Sequence, residues 1–198
     1  MEKRRKVANP LALAVLTYLL AKPMHPYELG RLMKEHGKDR NIKYNRGSLY
    51  MVVEQLRKAG FIAEQETVRD TLRPERTIYG ITDEGRKEAY DWMRELVAHP
   101  REEYPQFGVA LSLLIVLSPE ESVELLGQRL ATLTAQAEEV RGELCKAADK
   151  GVLWVFLAKE EYRLAVLEAE RRFVTELIKS LADPAYGRAR NELWENLT

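Results

Sequence analysis

Residues 46–82 read RGSLYMVVEQLRKAGFIAEQETVRDTLRPERTIYGIT and decide the fold, because the hydrophobic period changes within them from helical to extended. Before Gly60 the apolar side chains recur at helical spacing, as Leu49, Val52, Val53 and Leu56. After it, two runs rich in β-branched and aromatic residues flank a segment that holds Arg73 and Pro74. The stretch therefore predicts a helix followed at once by a two-stranded hairpin with a basic tip. That is the second half of a winged helix-turn-helix.

The residues upstream and downstream complete this motif. Asn9 and Pro10 are a cap and a first helical residue, and they open a helix that is apolar on nearly all sides over residues 11–20. A second short helix covers residues 27–36 and is followed by a basic connection. Thr82 caps a fourth helix. Its predicted apolar stripe consists of Ala89, Tyr90, Met93, Leu96 and Val97.

The half of the chain after Pro100 has a helical pattern throughout. Residues 104–117 form an apolar helix, and residues 118–121, SPEE, start a long one. Along that helix apolar residues alternate spacings of three and four, which is a heptad seam: Val123, Leu126, Leu130, Leu133, Ala137, Val140, Leu144 and Ala147. After Gly151 a further long helix runs to about residue 182. The two long helices are predicted to form an antiparallel hairpin.

The fold class predicted from these patterns is mainly α with a small two-stranded β wing. Residues 1–100 form a winged helix-turn-helix DNA-binding domain, and residues 101–198 form a helical dimerisation domain that is also a candidate effector domain. The last long helix carries more apolar surface than one neighbour can cover, which favours packing on a second subunit. The alternative is that both faces are covered within one chain.

Charge is distributed unevenly, although the net charge of the whole chain is zero. Residues 1–100 carry 19 Lys and Arg against 14 Asp and Glu, a net of +5, and residues 101–198 carry the compensating −5. Within residues 3–46 the count is 11 basic to 3 acidic. A basic half beside an acidic half is typical of DNA binding by one end and self-association by the other.

Other function classes find little support in the sequence. The apolar run at residues 11–21 is too short to span a bilayer and no export signal is evident, so a cytoplasmic protein with no membrane partner is expected. Cys145, the single cysteine, fits a reducing compartment. The three histidines match no metal-ligand spacing, and no phosphate-binding loop or nucleophile motif occurs. We expect no enzyme, no metal and no cofactor.

Four runs of the first half carry a resemblance to a known family: LALAVLTYLL, HPYELGRLM, GSLYMVVEQLRKAGFI and PERTIYGITDEGR. Together they resemble the PadR-like bacterial transcription regulators. The resemblance implies a homodimeric regulator, a repressor, that binds double-stranded operator DNA with inverted repeats. It also implies a small aromatic or drug-like effector. Many members have proline where this chain has Met51, so the tilt and base preference of the third helix are open.

Candidate contacts follow for each partner. For DNA, we assign Tyr27 and Lys43 to phosphates, with the N-terminal arm at residues 3–6 as an addition. Base edges are assigned to Arg46, Ser48 and Gln55, and the minor groove or its flanking backbone to Arg73 and Arg76. Asn45 is the candidate cap of the third helix, and Tyr50 is assigned to orienting that helix. For dimerisation the set is Val123, Leu126, Leu130, Leu133, Val140, Leu144, Leu164, Leu167, Phe173 and Val174. For an effector pocket it is Trp154, Phe156 and Tyr162.

A second class of function stays open at this point. A winged helix can serve only as a protein-interaction module, with the helical half as an oligomerisation scaffold. Non-specific DNA affinity that vanishes at moderate salt, without a preferred sequence, would favour that class.

Overall fold

The structure, a computed structural model, describes residues 5–38, 42–70 and 73–195, with side chains throughout these except at 66–76 and 194–195. The chain divides into two compact units, Met1–Glu102 and Glu103–Thr198. The first unit contains α1 (Pro10–Ala21), α2 (Pro26–Glu35), α3 (Arg46–Lys58), β1 (Ile62–Asp70), β2 (Arg73–Ile81) and α4 (Asp83–Ala98). The second contains α5 (Gln106–Ser112), α6 (Pro119–Asp149), α7 (Ala158–Leu181) and α8 (Pro184–Glu195).

Helix α1 is the centre of the first core. Asn9 caps it, since its side-chain oxygen accepts a hydrogen bond from the backbone N–H of Leu11 at 2.9 Å. Most of its apolar residues are buried, among them Val15 and Leu16 with no exposed surface. A helix that is apolar all round must be covered on several sides, and α3, α4 and β2 all contact it. This coverage agrees with the predicted apolar character of α1 on nearly all sides.

Two glycines allow the close approaches that hold the motif together. A Cβ on Gly30 of α2 would lie 3.0 Å from Cδ2 of Leu49 in α3. A Cβ on Gly85 of α4 would lie 1.9 Å from the backbone oxygen of Phe61, which real atoms cannot do. The glycine of the TDEG run is therefore required where α4 begins against the start of the wing.

The wing is an antiparallel pair in which Ile62 is opposite Ile81 and Ala63 is opposite Gly80. Met24, in the turn between α1 and α2, adds a short bridge to this pair: its backbone N–H donates to the oxygen of Tyr79 at 3.1 Å, and the N–H of Tyr79 donates back at 3.2 Å. The bridge fixes the base of the wing to the helix-turn-helix.

The stripe predicted for α4 is wrong except at Ala89. The buried residues of α4 are Gly85, Glu88, Ala89 and Trp92. Helix α1 contacts α4, and Ala89 and Trp92 belong to the same buried core as the apolar residues of α1. The other four predicted residues are exposed: Tyr90, Met93, Leu96 and Val97.

The second unit is built on the α6 and α7 pair, which confirms the predicted hairpin. Its buried core is formed by Leu126, Leu133, Ala137, Val140, Leu167, Val174 and Leu181. Ser118 caps α6 by accepting from the N–H of Glu121 at 3.1 Å. Two predicted helices are shorter than expected. The one at 104–117 is α5 followed by a 3₁₀ turn, and α7 begins only at Ala158 after a 3₁₀ turn at Trp154–Phe156.

Helix α8 was not predicted. The sequence signal for its start is the pair Asp183-Pro184, because proline suits the first turn of a helix. In the structure the Asp183 carboxylate accepts a hydrogen bond from the backbone N–H of Ala185 at 2.8 Å. Arg190 of α8 donates to the backbone oxygen of Ile115 at 3.1 Å, which ties α8 to the turn after α5. None of the helices in the described part of the chain has the length and apolar character needed to cross a membrane.

Candidate nucleic-acid interface

The start of α3 is fixed by a reciprocal cap. The side-chain oxygen of Asn45 accepts from the backbone N–H of Ser48 at 2.8 Å, and the backbone N–H of Asn45 donates to the Ser48 hydroxyl oxygen at 2.8 Å. The Ser48 hydroxyl in turn donates to the carbonyl of Asn45 at 2.9 Å. Asn45 caps the helix as predicted. The hydroxyl of Ser48, predicted to meet a base edge, is occupied in holding the cap.

The two sides of α3 differ as the sequence predicts. Its inner side, formed by Leu49, Val52, Val53 and Leu56, is buried with at most 2% of each residue exposed. Its outer side carries Arg46, Met51 and Gln55, all exposed. A helix held from one side and free on the other can enter a major groove.

Arg46 and Tyr50 form one edge of the outer side. They are one turn apart, and the guanidinium carbon of Arg46 lies 5.7 Å from the Tyr50 ring centroid. The Tyr50 ring also lies near the ring of His25, the residue that caps α2, and the two ring centroids are 6.3 Å apart in an edge-on arrangement. Tyr50 is thus held between α3 and the start of α2, which fits an orienting role.

A groove of about 540 Å³ runs between α2 and α3. Its polar lining includes Tyr27, Arg31, Lys34, Tyr44, Arg46 and Tyr50. Tyr27 is 62% exposed at the first turn of α2, where its backbone N–H donates to Nδ1 of the capping His25 at 3.0 Å. Lys43 is exposed just before α3. Arg31 is paired with Glu35 at 2.7 Å, so Lys34, Lys43, Arg46 and the helix N-terminus are the groups that favour an anionic partner such as a phosphate backbone.

The C-terminal end of α3 is charged but internally paired. Arg57 donates two hydrogen bonds to the Glu54 carboxylate, each at 2.8 Å, and Lys58 lies 3.7 Å from the same group. The hydrogen bonds from Arg57 lower the pKa of Glu54 below its ordinary value. The carboxylate stays ionised and pairs with both cations, and Arg57 also lies 3.9 Å from the carboxylate of Glu64 in β1.

Arg5 corrects the prediction for the N-terminal arm. Its guanidinium pairs with Glu88 and Glu95 of α4 and lies 4.9 Å from the Trp92 ring centroid. Only 4% of the side chain is exposed, so Arg5 fixes the start of the chain on α4 and is not available to a phosphate. Lys3 and Arg4 lie outside the described residues.

The roles predicted for the two wing arginines stay predictions. Arg73 and Arg76 belong to β2, but their side chains lie outside the described part of the structure. Among the described residues no group of three or more His, Cys, Asp and Glu side chains is placed to hold a metal ion.

Nine of the ten residues predicted for dimerisation pack within one chain. Val140 and Val174 have no exposed surface, and both belong to the hairpin core. Four more are partly buried against that core: Val123, Leu130, Leu144 and Leu164. The heptad seam of α6 is filled by α7 of the same chain, because a short connection brings the two helices together. Phe173 is the exception, with 50% exposed.

The residues predicted for an effector pocket lie on the surface of the second unit. Trp154, Phe156 and Tyr162 are 66%, 74% and 72% exposed. The indole N–H of Trp154 donates to the carboxylate of Glu161 at 2.8 Å. Trp92 of α4, by contrast, is buried in the core of the first unit.

Sequence reasoning missed three contacts that shape the interface. These are the burial of Arg5 on α4, the Met24 bridge to the wing and the His25 cap of α2. The His25-Pro26 pair is a usable sequence signal for the cap of α2, because the histidine side chain accepts a hydrogen bond just before a proline at the first helical position. The other two join residues that are far apart in the chain.

The arrangement of three helices, a wing and a capped, exposed third helix defines a winged helix-turn-helix protein of the DNA-binding class. Residues 15–91 match the model of the transcriptional regulator PadR-like family. This match of residues 15–91 to the PadR-like family confirms the resemblance seen in the sequence.

Similar proteins extend beyond the matched residues. The negative transcriptional regulator PadR of Bacillus subtilis (strain 168) is 24% identical over 177 residues, which cover 87% of this chain and 96% of the relative. Crystal structures of Bacillus subtilis PadR with operator DNA and with p-coumaric acid each cover 83% of this chain and 98% of theirs, at 22% and 20% identity and TM-scores of 0.57 and 0.58. The Vibrio cholerae virulence activator AphA matches over 86% of this chain and 97% of its own, with 19% identity and a TM-score of 0.63. At these identities the structures show a shared fold.

Proposed function

We propose that this transcriptional regulator binds double-stranded operator DNA in a sequence-specific manner as a homodimer and acts as a repressor. The observation that carries the proposal is the outer side of α3, exposed and rigidly capped beside a cation-lined groove. Bacillus subtilis PadR, which has this fold, is described as a negative regulator and has been crystallised with operator DNA. This relative supports repression, and not activation, as the direction of regulation.

In the proposed complex α3 enters the major groove. Arg46 and Gln55 meet base edges, and Tyr27 and Lys43 meet phosphates on the side of α2. Arg73 and Arg76 contact the minor groove or its backbone. The domain roles follow the two units, with DNA binding in the first and dimerisation in the second.

The proposed dimer contact uses the exposed stripe of α7, defined here as Tyr162, Val166, Ala169 and Phe173. The spacing of three and four residues places these four side chains on one side of the helix. Each is exposed in the single chain. A face of this kind suits a twofold contact with a second copy, and two copies of α3 then meet the two halves of an inverted repeat.

An effector is the second part of the proposal. Bacillus subtilis PadR has been crystallised with p-coumaric acid, so a small aromatic ligand is the class we propose here. Trp154, Phe156 and Tyr162 supply exposed aromatic surface in the single chain, and the proposed site is completed in the dimer. The regulator would act in the cytoplasm, where its DNA lies, and the proposal includes no enzymatic step.

Selection of bound sequences from a random DNA pool by the purified protein tests this function. We expect an enriched inverted repeat that is bound as a dimer at physiological salt. Binding without any preferred sequence, lost as salt is raised, would support an interaction module instead.

A further inference from the structure

The exposed side of α3 has an apolar centre. Met51 is 53% exposed in the middle of the helix. One turn earlier Gly47 has no side chain, and one turn later Gln55 carries an uncharged amide. Residues four apart lie above one another on a helix, so these three form one line along it. The line presents one large apolar side chain between two neutral positions.

Of the basic residues of α3, Arg46 and Arg57 lie off this line, whereas Lys58 lies on it two turns after Met51. Arg46 leans over the Tyr50 ring at the edge that borders α2. At the other end Arg57 and Lys58 are engaged by Glu54. A base pair facing Met51 therefore meets its thioether first, and Lys58, two turns further along the same line, lies 3.7 Å from the Glu54 carboxylate.

The chemistry of the major groove limits what such a side chain can recognise. Base edges there present hydrogen-bond donors and acceptors, and the apolar group among them is the C5-methyl of thymine. Methionine is flexible and polarisable, so it can close on a methyl group without an imposed geometry. Burying the exposed Met51 against that methyl is favourable, whereas burying it against an amino group or a carbonyl oxygen leaves a polar group unpaired.

We propose that Met51 determines specificity for one thymine in each operator half-site through the C5-methyl group. The inference rests on the proposed function, since it needs α3 in the major groove. It adds a base identity and an apolar mode of recognition to the contacts assigned to Arg46 and Gln55.

Replacing thymine by deoxyuridine tests the proposal, because only the methyl group is removed and base pairing is retained. Each thymine of the selected operator is replaced in turn, in both half-sites together. We expect one position at which the wild-type protein loses about four-fold in affinity per half-site, the value for one buried methyl group. The other positions should change by less than about two-fold.

Two variants identify the side chain responsible. Met51→Ala should bind the thymine and deoxyuridine operators equally, and should keep its fold because alanine is a strong helix former at an exposed site. Circular dichroism checks the fold. The matched control Gln55→Ala, one turn further along the same line, should bind more weakly but keep the preference for thymine.

The outcomes separate this proposal from the proposed function. Equal binding of every deoxyuridine operator by the wild-type protein would overturn the role of Met51 and leave specific DNA binding intact. The same conclusion follows if Met51→Ala still distinguishes thymine from deoxyuridine, or if the selected half-site has no thymine. A pool that yields no preferred sequence would overturn both.

Discussion

Two arginines of the first unit show how tertiary surroundings decide what a charge does. Arg5 is buried between Glu88, Glu95 and the Trp92 ring, so it holds the start of the chain on α4. Arg46 is exposed, and among the described residues it forms no ion pair. The same side chain is structural in one place and available to a ligand in the other.

Arg46 should therefore matter for recognition. We expect Arg46→Ala to cost about 1–3 kcal/mol on the selected operator and to relax the preference at one position per half-site, with little change on random DNA. Titrations on both DNAs measure this. Arg94→Ala removes an exposed arginine that is paired with Asp91 on α4, and it serves as the control. Unchanged operator affinity and preference in Arg46→Ala would show that this residue does not read a base.

Glu88 should matter for stability. Glu88→Ala leaves the buried Arg5 with one of its two carboxylates, and breaking a buried pair costs about 3 kcal/mol. Urea unfolding followed by tryptophan fluorescence measures the loss. Asp91→Ala removes a carboxylate on the same helix whose partner Arg94 is exposed, and should change stability by less than about 0.5 kcal/mol. Equal losses in the two variants would contradict the structural role of Arg5.

At the scale of the element, α3 depends on its cap and on what its neighbours leave uncovered. The cap fixes where the first turn begins, and Gly30 lets α2 approach Leu49 so that the outer side stays free. Helix α4 shows the opposite relation between pattern and packing. Its apolar stripe is exposed, because the glycine and tryptophan on its other side fit α1 and the start of the wing.

The cap of α3 should therefore serve both stability and binding. Asn45→Ala removes the acceptor for the Ser48 N–H and should lower stability by about 1 kcal/mol. Operator affinity should fall too, because the first turn carries Arg46. Ser118→Ala removes the equivalent cap from α6 in the second unit and should cost similar stability without weakening DNA binding. Equal effects on DNA binding would count against a specific role of the α3 start. Chemical denaturation and operator titration of both variants supply the comparison.

At the scale of the molecule, the two units have separate cores and opposite net charge. The first unit presents the capped α3, and the second is a helical hairpin whose α7 carries an exposed apolar stripe. The proposed binding to an inverted repeat needs two copies of the first unit at a fixed spacing, which self-association through the second unit would provide.

Two adjacent residues of α7 distinguish the dimer contact from the hairpin core. Phe173→Glu places a charge on the exposed stripe and should lower the dimer fraction while helical content is retained. Val174→Asp places a charge where no surface is exposed and should destabilise the second unit by several kcal/mol. Sedimentation velocity and circular dichroism measure the two effects. A Phe173→Glu protein that stays dimeric would place the interface elsewhere.

The sequence by itself determined the order of helices and strands as far as α7, and the buried side of α3. These features depend on local signals. Caps and prolines mark helix starts, glycines mark ends, and a change of hydrophobic period marks the passage from helix to wing. The roles of Asn9, Asn45 and Ser118 could be predicted because a cap involves only neighbours in the chain.

Only the tertiary structure decided which of several apolar or charged groups would be covered. The seam of α6 is filled within the chain, Arg5 is buried on α4, and Trp154 is exposed although its sequence surroundings are apolar. Each outcome depends on which distant segment packs against the residue, and spacing along one helix contains no information about its neighbour. Burial of a side chain is a property of the pair of surfaces, so it is settled only when both are in place.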